Sequence, residues 1–179
     1  MDTKGGNMRD KEIRFVTFLL FVLTLISGTE GVSAQDPGNL RGIKEFDLTV
    51  EQVTLNGQRV GLNTDEIRGF AAALAKSNGI PIRETPRNVD FKQLVKRPTI
   101  KITVHDQIHA ADDLYIAVLN LLVVQNATGE NGEKKVFVSY VLDGLLKTSL
   151  TGQKPVKIDV GDALRVMFNQ FRQDYKRLN

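Results

Sequence analysis

Pro98-Thr99-Ile100-Lys101-Ile102-Thr103-Val104-His105 opens the stretch that decides the fold, and that stretch runs on to Leu150. It holds three apolar runs, Thr99–His105, Leu114–Gln125 and Lys135–Leu150, separated by polar, turn-forming residues. The first run alternates, so Ile100, Ile102 and Val104 should face a core while Thr99, Lys101, Thr103 and His105 face water. The last two flank Thr128-Gly129-Glu130-Asn131-Gly132-Glu133, and Asn-Gly between β-rich runs is a strong hairpin signal. The pattern predicts a long antiparallel hairpin with a third strand before it.

Working outward, Phe46, Leu48 and Val50 alternate with Glu45, Asp47, Thr49 and Glu51, the pattern of a half-buried strand. Val53 and Leu55 fall on the opposite parity, which suggests a bulge near Glu51-Gln52, and Asn56-Gly57 reads as a turn. Asn63 then caps a helix whose apolar face is Ile67, Phe70, Ala71 and Leu74, with Asn78-Gly79 and Pro81 as its stop. Ile80–Glu84 returns as a short strand, parallel to the first because a helix connects them. A connector follows, with one helical turn expected over 90–95. At the far end Asp159 is expected to cap a helix with the stripe Val160, Leu164, Met167, Phe168, Phe171, Tyr175 and Leu178. The order β-α-β-β-β-β-α predicts an α+β domain over residues 43–179. Its expected architecture is two-layered, a mixed sheet of about five strands with two helices packed on one face.

The 179 residues are 41% hydrophobic and 25% charged, which suits a globular domain rather than a disordered chain. Residues 1–34 read as a secretory signal peptide. Lys4, Arg9, Lys11 and Arg14 precede the apolar run Phe15–Ile26, and Val32-Ser33-Ala34 places cleavage after Ala34. The run is short for a bilayer span, which takes roughly 20 apolar residues, so no transmembrane segment is expected after cleavage. Met8 is an alternative start. Residues 35–42, with Pro37, Gly38 and Gly42, are expected to be a flexible leader. The sequence has no cysteine, which excludes disulfides, a thiol nucleophile and thiolate metal ligands. Cysteine-free export fits a bacterial periplasmic or secreted protein. The signal segment carries four basic and four acidic residues, so the remainder keeps the net charge of +3. Nucleic acid is not an expected partner at such an address. Adhesion to anionic polymer or lipid through Arg172, Lys176 and Arg177 is a further alternative.

Several segments resemble a set of uncharacterised exported bacterial proteins. They are Ile43-Lys44-Glu45-Phe46-Asp47-Leu48, Ala75-Lys76-Ser77-Asn78-Gly79-Ile80, Arg97-Pro98-Thr99-Ile100-Lys101-Ile102, Tyr115-Ile116-Ala117-Val118 and the ending Phe171-Arg172-Gln173-Asp174-Tyr175 before Asn179. Their fold is similar to the small α+β domain at the N-terminus of TolB-like envelope proteins. The resemblance implies an envelope address and no enzymatic role, and it carries no site residues.

Two candidate sites follow from the residues. Leu114–Gln125 is apolar on both parities, which a one-sided sheet would not be. A protein–protein surface formed by Tyr115, Leu119, Leu121, Val123, Phe137 and Val141 is the first expectation, with another envelope protein or a second copy as partner. On that reading Leu121→Lys abolishes association without unfolding the domain. The second candidate is a divalent-metal site, for Zn²⁺ or a similar ion, in a loop over 105–113. It would use His105, Asp106, His109 and Asp112, since imidazole and carboxylate are its usual ligands and these are the only two histidines. No serine sits in a Gly-x-Ser-x-Gly elbow and no glycine-rich phosphate loop follows a strand.

Overall fold

The computed structural model describes residues 37–84, 97–128, 131–152 and 154–179. The expected signal peptide and the expected helical turn over 90–95 lie outside the described residues. All described residues belong to one compact unit that begins at Ala34.

The strands are β1 (Phe46–Val50), β2 (Ile82–Glu84), β3 (Thr99–His109), β4 (Leu114–Thr128) and β5 (Lys134–Ser149). They form one mixed sheet in the order β2-β1-β3-β4-β5. β1 runs parallel to both neighbours, and β3, β4 and β5 are successively antiparallel. The described helices are a short α1 (Leu55–Arg59), α2 (Thr64–Ser77) and α3 (Val156–Leu178). The chain is thus an α+β fold with its two long helices on one face.

Register explains why that face is the core. Leu48 pairs with Ile100 and Val50 with Ile102. Ile100, Ile102 and Val104 in turn oppose Val123, Leu121 and Leu119. Those residues then face Tyr140, Leu142 and Gly144 on β5. Helix α2 adds Ile67, Ala71, Leu74 and Ala75, and α3 adds Val160, Leu164, Met167, Phe168 and Phe171, all buried in the same cluster. The Phe171 ring meets Phe46 at 5.6 Å and Tyr140 at 5.3 Å, both edge-on, the favoured geometry for aromatic pairs.

Local signals hold at α2. The Asn63 side chain accepts from the backbone N–H groups of Asp65 and Glu66, and Gly79 ends the helix at φ +67°. Elsewhere the structure differs from the expectation. β1 has no bulge at Glu51-Gln52; it stops at Val50, and Asn56-Gly57 lies inside α1, capped by Thr54. α3 begins at Val156, behind Pro155, so Asp159 is not its cap. Instead Asp159 accepts from Thr148 at 2.6 Å and pairs with Lys154, tying the helix to β5.

Residues 37–42 are not a free leader. Pro37–Leu40 makes a 3₁₀ turn and Leu40 is fully buried. Asn179 clasps the segment, donating to the Leu40 carbonyl at 2.9 Å and accepting from Gly42 N–H at 2.6 Å. Tyr175 donates to the Ile43 carbonyl at 2.7 Å. The aromatic end of α3 is therefore the anchor of the domain's N-terminal edge.

Candidate functional site

The β4–β5 hairpin is the longest element of the sheet, and its register separates its two faces. Positions 115, 117, 119, 121 and 123 point at the helices, and positions 116, 118, 120, 122 and 124 point away. One irregularity interrupts the pairing: Val123 opposes Tyr140 but Val124 opposes Val138, so Ser139 is the extra residue of a bulge. Its hydroxyl donates to the Val123 carbonyl at 3.1 Å and accepts from Gln125 at 2.7 Å. Further along β5 an added Cβ at Gly144 would stand 3.5 Å from the Met167 sulfur.

This phase corrects the expected interface. Tyr115, Leu119, Leu121 and Val123 are fully buried core residues beneath the helices and line no surface. Phe137 and Val141 are half-buried, on opposite faces of β5. The expected set thus mixed the two faces, with most of it on the wrong one.

The outward face is where apolar side chains remain open. Leu145 is 69% exposed, Val136 53%, Val118 39% and Val138 37%. Val118 and Leu145 sit directly opposite one another, as do Val124 and Val138. The opening is confined to the β5 side. At the Thr99–Thr103 end of β3 the same face is closed, since Thr99, Thr103 and Val124 are buried rather than facing water, while His105 and Gln107 further along β3 are exposed. At the closed end Thr103 Oγ1 and Asn120 Oδ1, opposite each other in register, are enclosed without a hydrogen-bond partner among the described residues. Asp143, beside Asn120 on β5, has its carboxyl pushed up by partial burial.

The residues of the expected metal loop are not in a loop. β3 continues to His109, and only Ala110–Asp112 forms a 3₁₀ turn before Asp113 at φ +52°. His105 and His109 are exposed and about 13 Å apart along the strand, at ~3.3 Å per residue. Asp106 points to the other face. It accepts from Tyr115 OH at 2.8 Å and from the Thr54 hydroxyl, which itself caps α1. Asp112 is exposed in the turn. The four are not brought together, and among the described residues no three His, Asp or Glu side chains converge. Asp106 fastens α1 to the sheet: burial, then this hydrogen bond, pushes the Tyr115 phenol up. A Cβ at Gly57 would lie 2.5 Å from Val53 and 3.0 Å from an Asp106 oxygen, so glycine is required at this junction.

Sequence reasoning missed Asp113. Its left-handed backbone turns β3 into β4, and its carboxylate accepts from Ser149, Thr151 Oγ1 and Thr151 N–H at the end of β5. These hydrogen bonds, Ser149's first, hold its carboxyl below the usual range. Asp-Asp-Leu before an apolar run was the available signal, since aspartate tolerates the left-handed conformation better than most residues. A shallow apolar groove of about 360 Å³ also lies between α2 and α3, lined by Ile67, Phe70, Ile158 and Leu164. Arg165 lies 5.9 Å over the Phe70 ring there. No helix among the described residues is long and apolar enough to cross a membrane.

No family model matches the chain, and no curated protein does. Among solved structures it is similar to a dodecameric PelC variant from Paraburkholderia phytofirmans, at 14% identity, 80% of this chain, 93% of that one and a TM-score of 0.44. A neuraminyllactose-binding hemagglutinin homolog from Helicobacter pylori matches at 8% identity, 84% and 98% coverage and a TM-score of 0.33. Rare lipoprotein B from Shewanella oneidensis matches at 7% identity, 75% and 90% coverage and a TM-score of 0.23. At these identities and scores the likenesses carry no activity or partner across to this chain.

Proposed function

We propose that this chain is a non-enzymatic, exported protein of the bacterial envelope that acts by binding another protein through the outward face of its β4–β5 hairpin. The basic, apolar, small-residue order of its first 34 residues supports the address, as does the sequence resemblance to exported bacterial proteins. The observation that carries the binding role is the open apolar strip of Val118, Val136, Val138 and Leu145 beside a sheet edge. Apolar side chains grouped on one face mark interaction surfaces far more often than scattered ones do.

The test is photo-crosslinking in cells, with a photoreactive residue at Leu145 or, as control, at Val166. Val166 is equally exposed (68%) but stands on α3, away from the strip. A discrete adduct from position 145 and none from 166 is the expected result. Equal, diffuse labelling from both positions would overturn the assignment.

A further inference from the structure

We infer that the free edge of β5 pairs antiparallel with β5 of a second copy of this chain, in the register that sets Leu145 against the partner's Leu145 on a two-fold axis. This deepens the interface reading above and rests on it.

β5 is an edge strand, and among the described residues nothing pairs with its outer side over 141–148. Such an edge presents unpaired backbone donors and acceptors, and proteins that keep an edge solitary blunt it with proline, a bulge, a cover or charged side chains, lysine above all. Here the bulge at Ser139, whose carbonyl accepts from Asn39 at 3.5 Å, interrupts only the strand's first half. From Val141 to Thr148 there is no proline.

The side chains on the outward face of that segment are Val141, Asp143, Leu145 and Lys147. Asp143 and Lys147 each lack an ion-pair partner among the described residues. Four residues apart on a strand, they are about 13 Å from each other and cannot neutralise one another within one copy. A two-fold through Leu145 brings Asp143 opposite the partner's Lys147 and Lys147 opposite the partner's Asp143. Directly opposed side chains stand roughly 4.5–5.5 Å apart at Cβ, close enough for both pairs to form.

Neighbouring registers fail on charge. A two-fold at position 143 or 147 sets like charges face to face, and one at 144 or 146 sets Leu145 against a charge. Among these registers only the one at 145 sets Leu145 on Leu145 and both charges on their opposites, with Val141 then facing the partner's Ser149. It also extends the apolar row, because Val118 lies directly beside Leu145 on β4. The row becomes Val118, Leu145, the partner's Leu145 and the partner's Val118. Opposed residues share a face, so the two helical layers lie on one side of a continuous sheet. Asp143 is already partly desolvated in the single copy, and the opposing ammonium would compensate that cost.

The natural chain has no cysteine, so Leu145→Cys in the full chain can form a disulfide only with itself. Opposed residues of an antiparallel pair have Cα atoms about 4.5–5.5 Å apart, within disulfide reach. Mild oxidation should give a covalent dimer from Leu145→Cys and none from Val166→Cys. Sedimentation then tests the register. Asp143→Lys alone and Lys147→Asp alone should each weaken the dimer roughly tenfold or more, because both symmetric pairs become repulsive. Mixing the two single variants should restore dimer, since each then meets its opposite. Unchanged thermal midpoints will show that these exposed changes leave the fold intact. A single charge variant that dimerises like the natural chain, or a mixture that recovers nothing, would overturn the register. A monomeric natural chain with no preferential disulfide at position 145 would overturn self-pairing, while a photo-adduct from Leu145 to a different protein would still uphold the interface.

Discussion

Along β4, Tyr115, Ala117, Leu119, Leu121 and Val123 are all fully buried, whereas Ile116, Val118 and Leu122 on the alternate positions stay partly or largely open. Both sets are built from the same aliphatic residue types. Composition therefore cannot say which face is core, and only the helices decide it: α3 lays Met167, Phe168 and Phe171 against one side. A strand apolar on both faces carries its packing information in its neighbours rather than in itself.

The largest effect that would test this contrast is Leu121→Lys. On the inward face it removes core packing and buries a charge, so it should destabilise the domain by about 4 kcal/mol or more, read from the denaturant midpoint. This reverses the expectation that the same change would only dissociate a complex. Leu145→Asp on the outward face should leave the midpoint within about 0.5 kcal/mol while abolishing association. Equal losses from both variants would dissolve the distinction between the faces.

The two sides of β3 offer a smaller version of the same test. Asp106→Ala strips the acceptor from Tyr115 and Thr54 and should cost roughly 1–3 kcal/mol. Its exposed neighbour His105→Ala should cost less than about 0.5 kcal/mol. A larger loss at His105 would mean that the end of β3 does more than stay solvated.

The smallest effect is one of pH. The folded pKa of Asp113 lies below the ordinary 3.8, first because Ser149 donates to it and then because Thr151 does. Its contribution is therefore present above 3.8 and is lost as pH falls through the lowered folded value. Thermal midpoints measured on acidification should fall further for the natural chain than for Asp113→Asn. Parallel curves would show that the clasp between the β3–β4 turn and the end of β5 contributes nothing.

The elements that were legible had local causes. Asn63 and Gly79 bound α2 because capping and left-handed backbone are set within a few residues. The α3 stripe followed from helical spacing alone. What escaped had distant causes. His105-Asp106-Gln107-Ile108-His109 looks like a polar loop, yet it is strand because it pairs residue by residue with Leu114–Val118. Asp159 looks like a cap, but its partners Thr148 and Lys154 lie outside the helix and leave the start to Pro155. Residues 37–42 look like a leader because nothing in them announces Asn179, which clasps them from the other end of the chain.

By itself the sequence determined the class of this protein: a mixed sheet with two long helices, a hairpin apolar on both sides, and no thiol chemistry. These follow from periodicity, turn chemistry and composition, which act over a few residues. Only the tertiary structure decided which half of the hairpin is surface, that the histidines stand apart on a strand, and that Leu145 lies exposed between an acid and a base that have no ion-pair partner among the described residues, on an edge that no described strand covers. Those facts depend on the phase of a strand relative to helices dozens of residues away. A shift of one residue would exchange the buried and exposed faces of the hairpin.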